Sequence, residues 1–335
     1  MKKTTIFRAA FFFVFIPLFV MSGFTSCTSQ EIRTAQAEEY FSIGMAYYEL
    51  GKFNDAEVWF NRARAADKTM VASDYNLGRI AFETRRYADA AKYFESVLAL
   101  DSDNVMALKA AAYSRIKNGD LEKAEALYDR VLALVPESAD DGYNYALVLY
   151  GLEKYENCEE VLNNYPFSLE EKPSSILLFA RAQKAQNKVE AVDSYAKWLV
   201  VHTGAANPQG LYEYGQVLED AGLFARAIEQ YREAIKALTK DTEDLKKANL
   251  MFEEARLLLT ADPDNDEGMT AFKNAVDEGF SDTEAFEELI LDSSISNDKK
   301  TELRKIFDNR EKEKDTEETE TTEATEATEA SDGVQ

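Results

Sequence analysis

The sequence predicts an all-α protein built of stacked helical hairpins, and three observations carry that reading. Stepping 34 residues from Gly44 gives Gly78, Ala112, Ala146 and Ala180, and one extra residue then brings Gly215, so small residues recur in register. Nine residues after each lie Phe53, Tyr87, Leu121, Tyr155, Val189 and Phe224, and three further on lie Ala56, Ala90, Ala124, Cys158, Val192 and Ala227. With only six prolines and 14 glycines in 335 residues, and no run of strict alternation, strands have no comparable support.

The amino-terminus comes first. Lys2, Lys3 and Arg8 precede an apolar block, AAFFFVFIPLFVM, that is shorter than the roughly 20 residues needed to span a bilayer. Residues 1–26 therefore read as a secretory signal peptide. The next stretch, SGFTSCTSQ, holds Cys27 behind the small residues Thr25 and Ser26, and it resembles the lipobox of bacterial lipoproteins. Phe24 stands where that pattern has leucine or a similar aliphatic residue. The resemblance implies acylation of Cys27, palmitate among the chains, with 27–36 as a tether; several acyl chains on one cysteine give stable membrane attachment. Cleavage after Ala37, an uncleaved anchor and a Cys27 without a role are the competing readings. The expected location is exported and lipid-anchored to a bacterial envelope membrane, facing the periplasm or on the cell surface.

Residues 37–241 form the array. The small residue in each first helix lets the second approach, a residue near Gly51, Gly119 or Gly222 turns the chain, and the small residue of the second helix completes the contact. Glu153 and Asn187 replace the turn glycine in the fourth and fifth units. Tyr40 and Tyr47 before the turn, and Phe60 and Ala63 after it, recur at three- and four-residue intervals, giving each helix an apolar stripe that only stacking covers. A 34-residue period with this signature resembles the tetratricopeptide repeat family across six units. The resemblance implies a right-handed superhelical solenoid.

Beyond Asp241 the register changes. A long helix, a turn at Pro263 and a second helix ending at Gly279 suggest a degenerate seventh hairpin, and SDTEAFEELILDSS and DKKTELRKIF suggest closing helices, so 242–310 caps the stack. In 311–335, ten acids and two lysines with hardly an apolar residue cannot offset chain entropy, and a disordered acidic tail is expected, with solvation as its first reading and recognition as its second.

Little in the sequence points to catalysis. His202 is the single histidine, a helix-end residue in this reading, and HExxH, GxSxG and a glycine-rich phosphate loop are all missing. The segment DPDNDEG half-resembles a calcium loop through Asp262, Asp264 and Asp266, but Lys273 stands where a bidentate glutamate belongs, so it reads as a turn. Cys158 has no disulfide partner if Cys27 is lipidated, and it sits in an alanine slot. A formal charge of -24 disfavours nucleic acid as a partner. The expectation is no enzyme, no cofactor and no metal; the oligomeric state is left open.

The family resemblance implies that one face of each first helix lines a concave groove. There it would place Phe41, Met45 and Tyr48; Tyr75, Arg79 and Phe82; Lys109, Tyr113 and Ile116; Tyr143, Leu147 and Tyr150; Leu177, Arg181 and Lys184; and Tyr212, Gln216 and Glu219. Its aromatics serve contact area or packing on the next hairpin, and its basic groups serve attraction of carboxylates and peptide carbonyls or pairing with neighbours such as Glu83. Asn76 and Asn144 fall where the family often places an asparagine that pairs with a ligand's backbone amide. Of the family's carboxylate clamp, Lys109 and Asn144 match, whereas Tyr113, Ser174 and Leu178 do not. The expected function is a lipid-anchored envelope scaffold binding a protein or peptide segment in the groove; the alternative is an accessory or ligand-binding subunit of a solute-transport system.

Overall fold

The computed structural model describes residues 10–165, 172–201, 207–240, 245–262 and 266–309, with side chains from residue 30 onward. Residues 1–9, the side chain of Cys27 where acylation is expected, His202, Pro263, Asp264 and the expected acidic tail lie outside those residues or side chains. Among the described residues every regular element is a helix. The chain divides into two compact units, Met1–Pro166 and Phe167–Gln335.

The first unit holds four hairpins: α1 (Ala10–Glu49) with α2 (Phe53–Ala66), α3 (Val71–Glu83) with α4 (Tyr87–Leu100), α5 (Val105–Lys117) with α6 (Leu121–Leu134), and α7 (Ala139–Gly151) with α8 (Tyr155–Asn164). The stack continues through contacts of α2 with α3, α4 with α5 and α6 with α7. The segment expected as a tether, 27–36, is helical and continuous with α1. Its sequence contains neither proline nor glycine, so nothing interrupts the helix entering the first hairpin.

The second unit holds α9 (Pro173–Ala185) with α10 (Ala191–Val201), α11 (Pro208–Asp220) with α12 (Phe224–Ala237), and α13 (Lys247–Ala261) with α14 (Glu267–Glu278). It ends in α15 (Thr283–Leu291) and α16, which spans 297–309. α13 and α14 make the seventh hairpin. The closing helices bury Phe286, Leu289, Ile290, Leu303 and Phe307 with Phe252, Phe272 and Phe280, which covers the last apolar face as a stack requires.

Two positions explain the period. At the turn, the backbone adopts positive φ at Gly51 (68°), Arg85 (61°), Gly119 (81°), Glu153 (59°), Asn187 (55°) and Gly222 (72°), one residue in register in each of the first six hairpins. Each closes its first helix in the same way: Gly51 N–H donates to the Tyr48 carbonyl and Lys52 N–H to the Tyr47 carbonyl, and Glu153 and Lys154 donate likewise to Tyr150 and Leu149. In the small slot, a Cβ added to Gly44, Gly78 or Gly215 would lie 2.7, 2.7 or 2.3 Å from the ring of Phe60, Phe94 or Tyr231. The ring of the second helix thus rests on the backbone of the first. Cys158 fills the equivalent of Ala56, Ala90 and Ala124, fully buried, and burial pushes its thiol up to about 12.

Candidate functional site

In the first unit, the expected groove residues on α1, α3, α5 and α7 form contacts that bridge successive hairpins. The Arg79 guanidinium lies 4.5 Å from the Tyr48 ring centre, across the first joint. Phe82 stacks on Tyr113 at 5.3 Å with an interplanar angle of 30°, across the second. Lys109 Nζ lies 2.5 Å from Asp141 Oδ2, across the third. Asp141 is almost wholly buried, and Tyr128 nearby has its hydroxyl pushed up to about 12, by burial first and by the Asp141 charge second.

Other expected residues turn inward. Phe41 packs on Phe60 at 5.4 Å, Tyr75 meets Phe94 edge-on at 5.3 Å, and Tyr150 meets Tyr155 at 5.3 Å, so these rings hold their own hairpins together. Asn76 is buried and occupied: its amide donates to the Ala72 carbonyl at 2.9 Å and its oxygen accepts from Arg79 Nη1 at 3.0 Å. That differs from the expectation of an amide presented to a ligand, because Arg79 lies one helical turn away and captures it. Asn144, half-buried, makes no side-chain hydrogen bond among the described residues, and Tyr143 is half-buried beside it. Tyr113 and Leu147, at the same position of successive hairpins, are 46% and 43% exposed.

The basic groups expected to give the groove its sign are paired within the fold. Arg181 Nε lies 2.7 Å from Glu213 Oε2, and Lys184 Nζ donates to Gln216 Oε1 at 2.5 Å, both across the joint between α9 and α11. Arg79 pairs with Tyr48 and Asn76 rather than with Glu83. Tyr212 lies 5.7 Å from Tyr231, inside its own hairpin.

The second unit contains a feature the sequence reading missed, a cavity of about 770 Å³. Lys184 of α9, Gln216, Glu219 and Asp220 of α11, and Glu253, Arg256 and Leu257 of α13 line it, with Phe224 and Tyr231 of α12. Glu288 and Leu289 of α15 and the residues Asp292 and Ser294 close it. Arg256 bridges Glu219, at 2.7 Å to each oxygen, and Glu253 at 2.7 Å. Burial works against its charge, but the carboxylates of Glu253 and Glu219 outweigh it and raise its pKa. The Tyr231 hydroxyl donates to Glu219 at 3.1 Å. With five carboxylates against two cations, the lining is acidic, the reverse of the expected sign.

A sequence signal for this cavity existed. In the first unit the residue five before each second-helix start is apolar, and Tyr48–Phe53, Phe82–Tyr87 and Tyr150–Tyr155 close as ring pairs at 5.5, 5.2 and 5.3 Å. In the second unit Lys184 and Glu219 take that place, leaving Val189 and Phe224 74% and 42% exposed.

No helix among the described residues is long and apolar enough to cross a membrane, and no group of three or more His, Cys, Asp and Glu side chains among them could hold a metal ion. Comparison with known proteins agrees with the fold. The tetratricopeptide repeat family matches residues 41–105, 75–141 and 177–242, and the family described as anaphase-promoting complex, cyclosome, subunit 3 matches 117–197. An uncharacterized lipoprotein of Treponema pallidum (strain Nichols) is 25% identical over 182 residues, 54% of this chain and 91% of that protein. Among solved structures, a tetratricopeptide repeat protein from Parabacteroides merdae superposes with a TM-score of 0.51 at 20% identity, covering 76% of this chain and 97% of the other. The C-terminal part of a TPR repeat-containing protein from Cytophaga hutchinsonii superposes with a TM-score of 0.59 at 14% identity, covering 74% and 98%. The hairpin register, the one left-handed residue per turn, the ring-on-backbone contact and these matches together identify the chain as a member of the tetratricopeptide repeat proteins.

Proposed function

We propose that this protein is a lipid-anchored scaffold of the bacterial cell envelope, and that the first-helix face of its first unit binds an extended segment of a partner protein. The observation that carries the reading is the continuous series across three joints, Tyr48 with Arg79, Phe82 with Tyr113 and Lys109 with Asp141, beside the exposed Tyr113 and Leu147. Rigid aromatic surface offers contact area at low entropic cost, and the unengaged Asn144 amide has both a donor and an acceptor for a peptide bond. Attachment through Cys27 is supported by the lipobox-like stretch and by the lipoprotein relative.

The test is cross-linking in native envelopes with a photoreactive residue at position 116, comparing the parent chain with a Tyr113→Ser, Asn144→Ala, Leu147→Ser variant. A discrete protein adduct lost in the variant is the expected result; an adduct of undiminished yield sinks the groove. Cys27→Ser, in parallel, should move the protein from the membrane fraction to the soluble fraction.

A further inference from the structure

The cavity of the second unit has a chemistry of its own, independent of the first-unit groove. Its volume, about 770 Å³, falls in the range of ligand-holding clefts. Its acidic groups are of two kinds. Glu219 and Glu253 are consumed by Arg256, and Asp292 accepts hydrogen bonds from Ser294. Asp220 and Glu288 instead make no direct ion pair or hydrogen bond among the described residues, and both are exposed lining residues, one on α11 and one on α15. Phe224 adds an exposed ring beside them, freed because Glu219 stands where a stacking partner belongs.

These groups complement a particular occupant. Unpaired carboxylates attract a cation, and an exposed ring favours a guanidinium or ammonium against it. Lys184, an ammonium with three N–H groups, donates one hydrogen bond, to Gln216, and keeps donors for a carbonyl oxygen. We infer that the second-unit cavity receives a basic side chain, arginine or lysine, of an extended partner polypeptide, with Asp220 and Glu288 as its charge partners and Phe224 as its platform. The carbonyl next to that side chain meets Lys184. The specificity is thus for a basic segment, the reverse of a site that clamps a carboxylate.

The experiment titrates the full chain with a short fluorescein-labelled peptide of alternating arginine and leucine, acetylated and amidated, and with the same peptide carrying citrulline, which keeps the shape and removes the charge. The arginine peptide should bind about tenfold more tightly than its counterpart. That preference should collapse in Asp220→Asn, Glu288→Gln and weaken in Phe224→Ala, while Tyr113→Ser, Leu147→Ser retains it. Neither carboxylate makes an ion pair or a hydrogen bond, and Asp220 acts on Lys184 only through its charge, so thermal unfolding of the double variant should lie close to the parent. Equal affinity for the two peptides, or no binding of either, overturns the assignment. So does a preference that survives the double variant, the result that diffuse attraction by a charge of -24 would give.

Discussion

At the residue that closes the first helix of each hairpin, the first unit places Tyr48, Phe82, Ile116 and Tyr150, whereas the second places Lys184 and Glu219. Backbone geometry is the same in both: the following left-handed turn residue donates to the carbonyl of this residue at 2.9 Å in Tyr48 and Lys184 alike. What differs is the fate of the partner five residues on. Phe53, Tyr87 and Tyr155 are capped by rings, while Val189 and Phe224 stand exposed. The period therefore dictates how the chain folds back on itself, and leaves the chemistry at this position free to change from aromatic to ionic.

The comparison breaks first on stability. Phe82→Ala removes a ring stacked on Tyr113 and Tyr87 and should cost the first unit about 2–3 kcal/mol. Lys184→Ala, in the same register, should cost the second under about 1 kcal/mol, since it loses one partly exposed hydrogen bond. Denaturant unfolding read through Trp59 in the first unit and Trp198 in the second measures both; equal losses would mean that rings and charges are interchangeable there.

A smaller effect sharpens the likeness of the turns. Glu153→Gly should stabilise the first unit by about 0.5–1 kcal/mol, because a side chain at φ 59° is strained and glycine is not. Asn187→Gly should be near neutral, since asparagine tolerates the left-handed region. Thermal melts of the two variants give the order, and a destabilised Glu153→Gly would contradict the turn geometry.

The smallest effect is a slope with pH. Burial lowers the pKa of Lys184, against the opposing charges of Glu213 and Asp220. The folded state then binds fewer protons than the unfolded one between that lowered value and 10.5, so this group adds stability as pH rises through the window. Lys184→Met should flatten that rise relative to the parent in melts taken from neutral to alkaline pH. An unchanged slope would show that Lys184 keeps its ordinary titration.

Much of the fold was legible because it rests on local geometry. The small slots, Cys158 in an alanine position, and Glu153 and Asn187 at the turn follow from a period that sterics enforce, and Arg85 completes the set. The face expected to line the groove was less legible. Helical spacing gives the face on which Asn76, Arg181 and Lys184 lie, but their partners are the neighbours Arg79, Glu213 and Gln216, whose reach depends on rotamers and joint geometry. The cavity was hidden for another reason: Arg256 and Glu288 belong to helices beyond Asp241, where the register that located everything else had ended.

The rings of Phe60 and Phe94 resting directly on the main chain at Gly44 and Gly78 leave those hairpins no slack between their two helices. Each behaves as a stiff link, so elastic bending of the first unit must concentrate at the joints. Those joints are spanned by Tyr48 with Arg79, Phe82 with Tyr113 and Lys109 with Asp141. A strand of partner lying along that face would bridge those joints and brace them as a splint does.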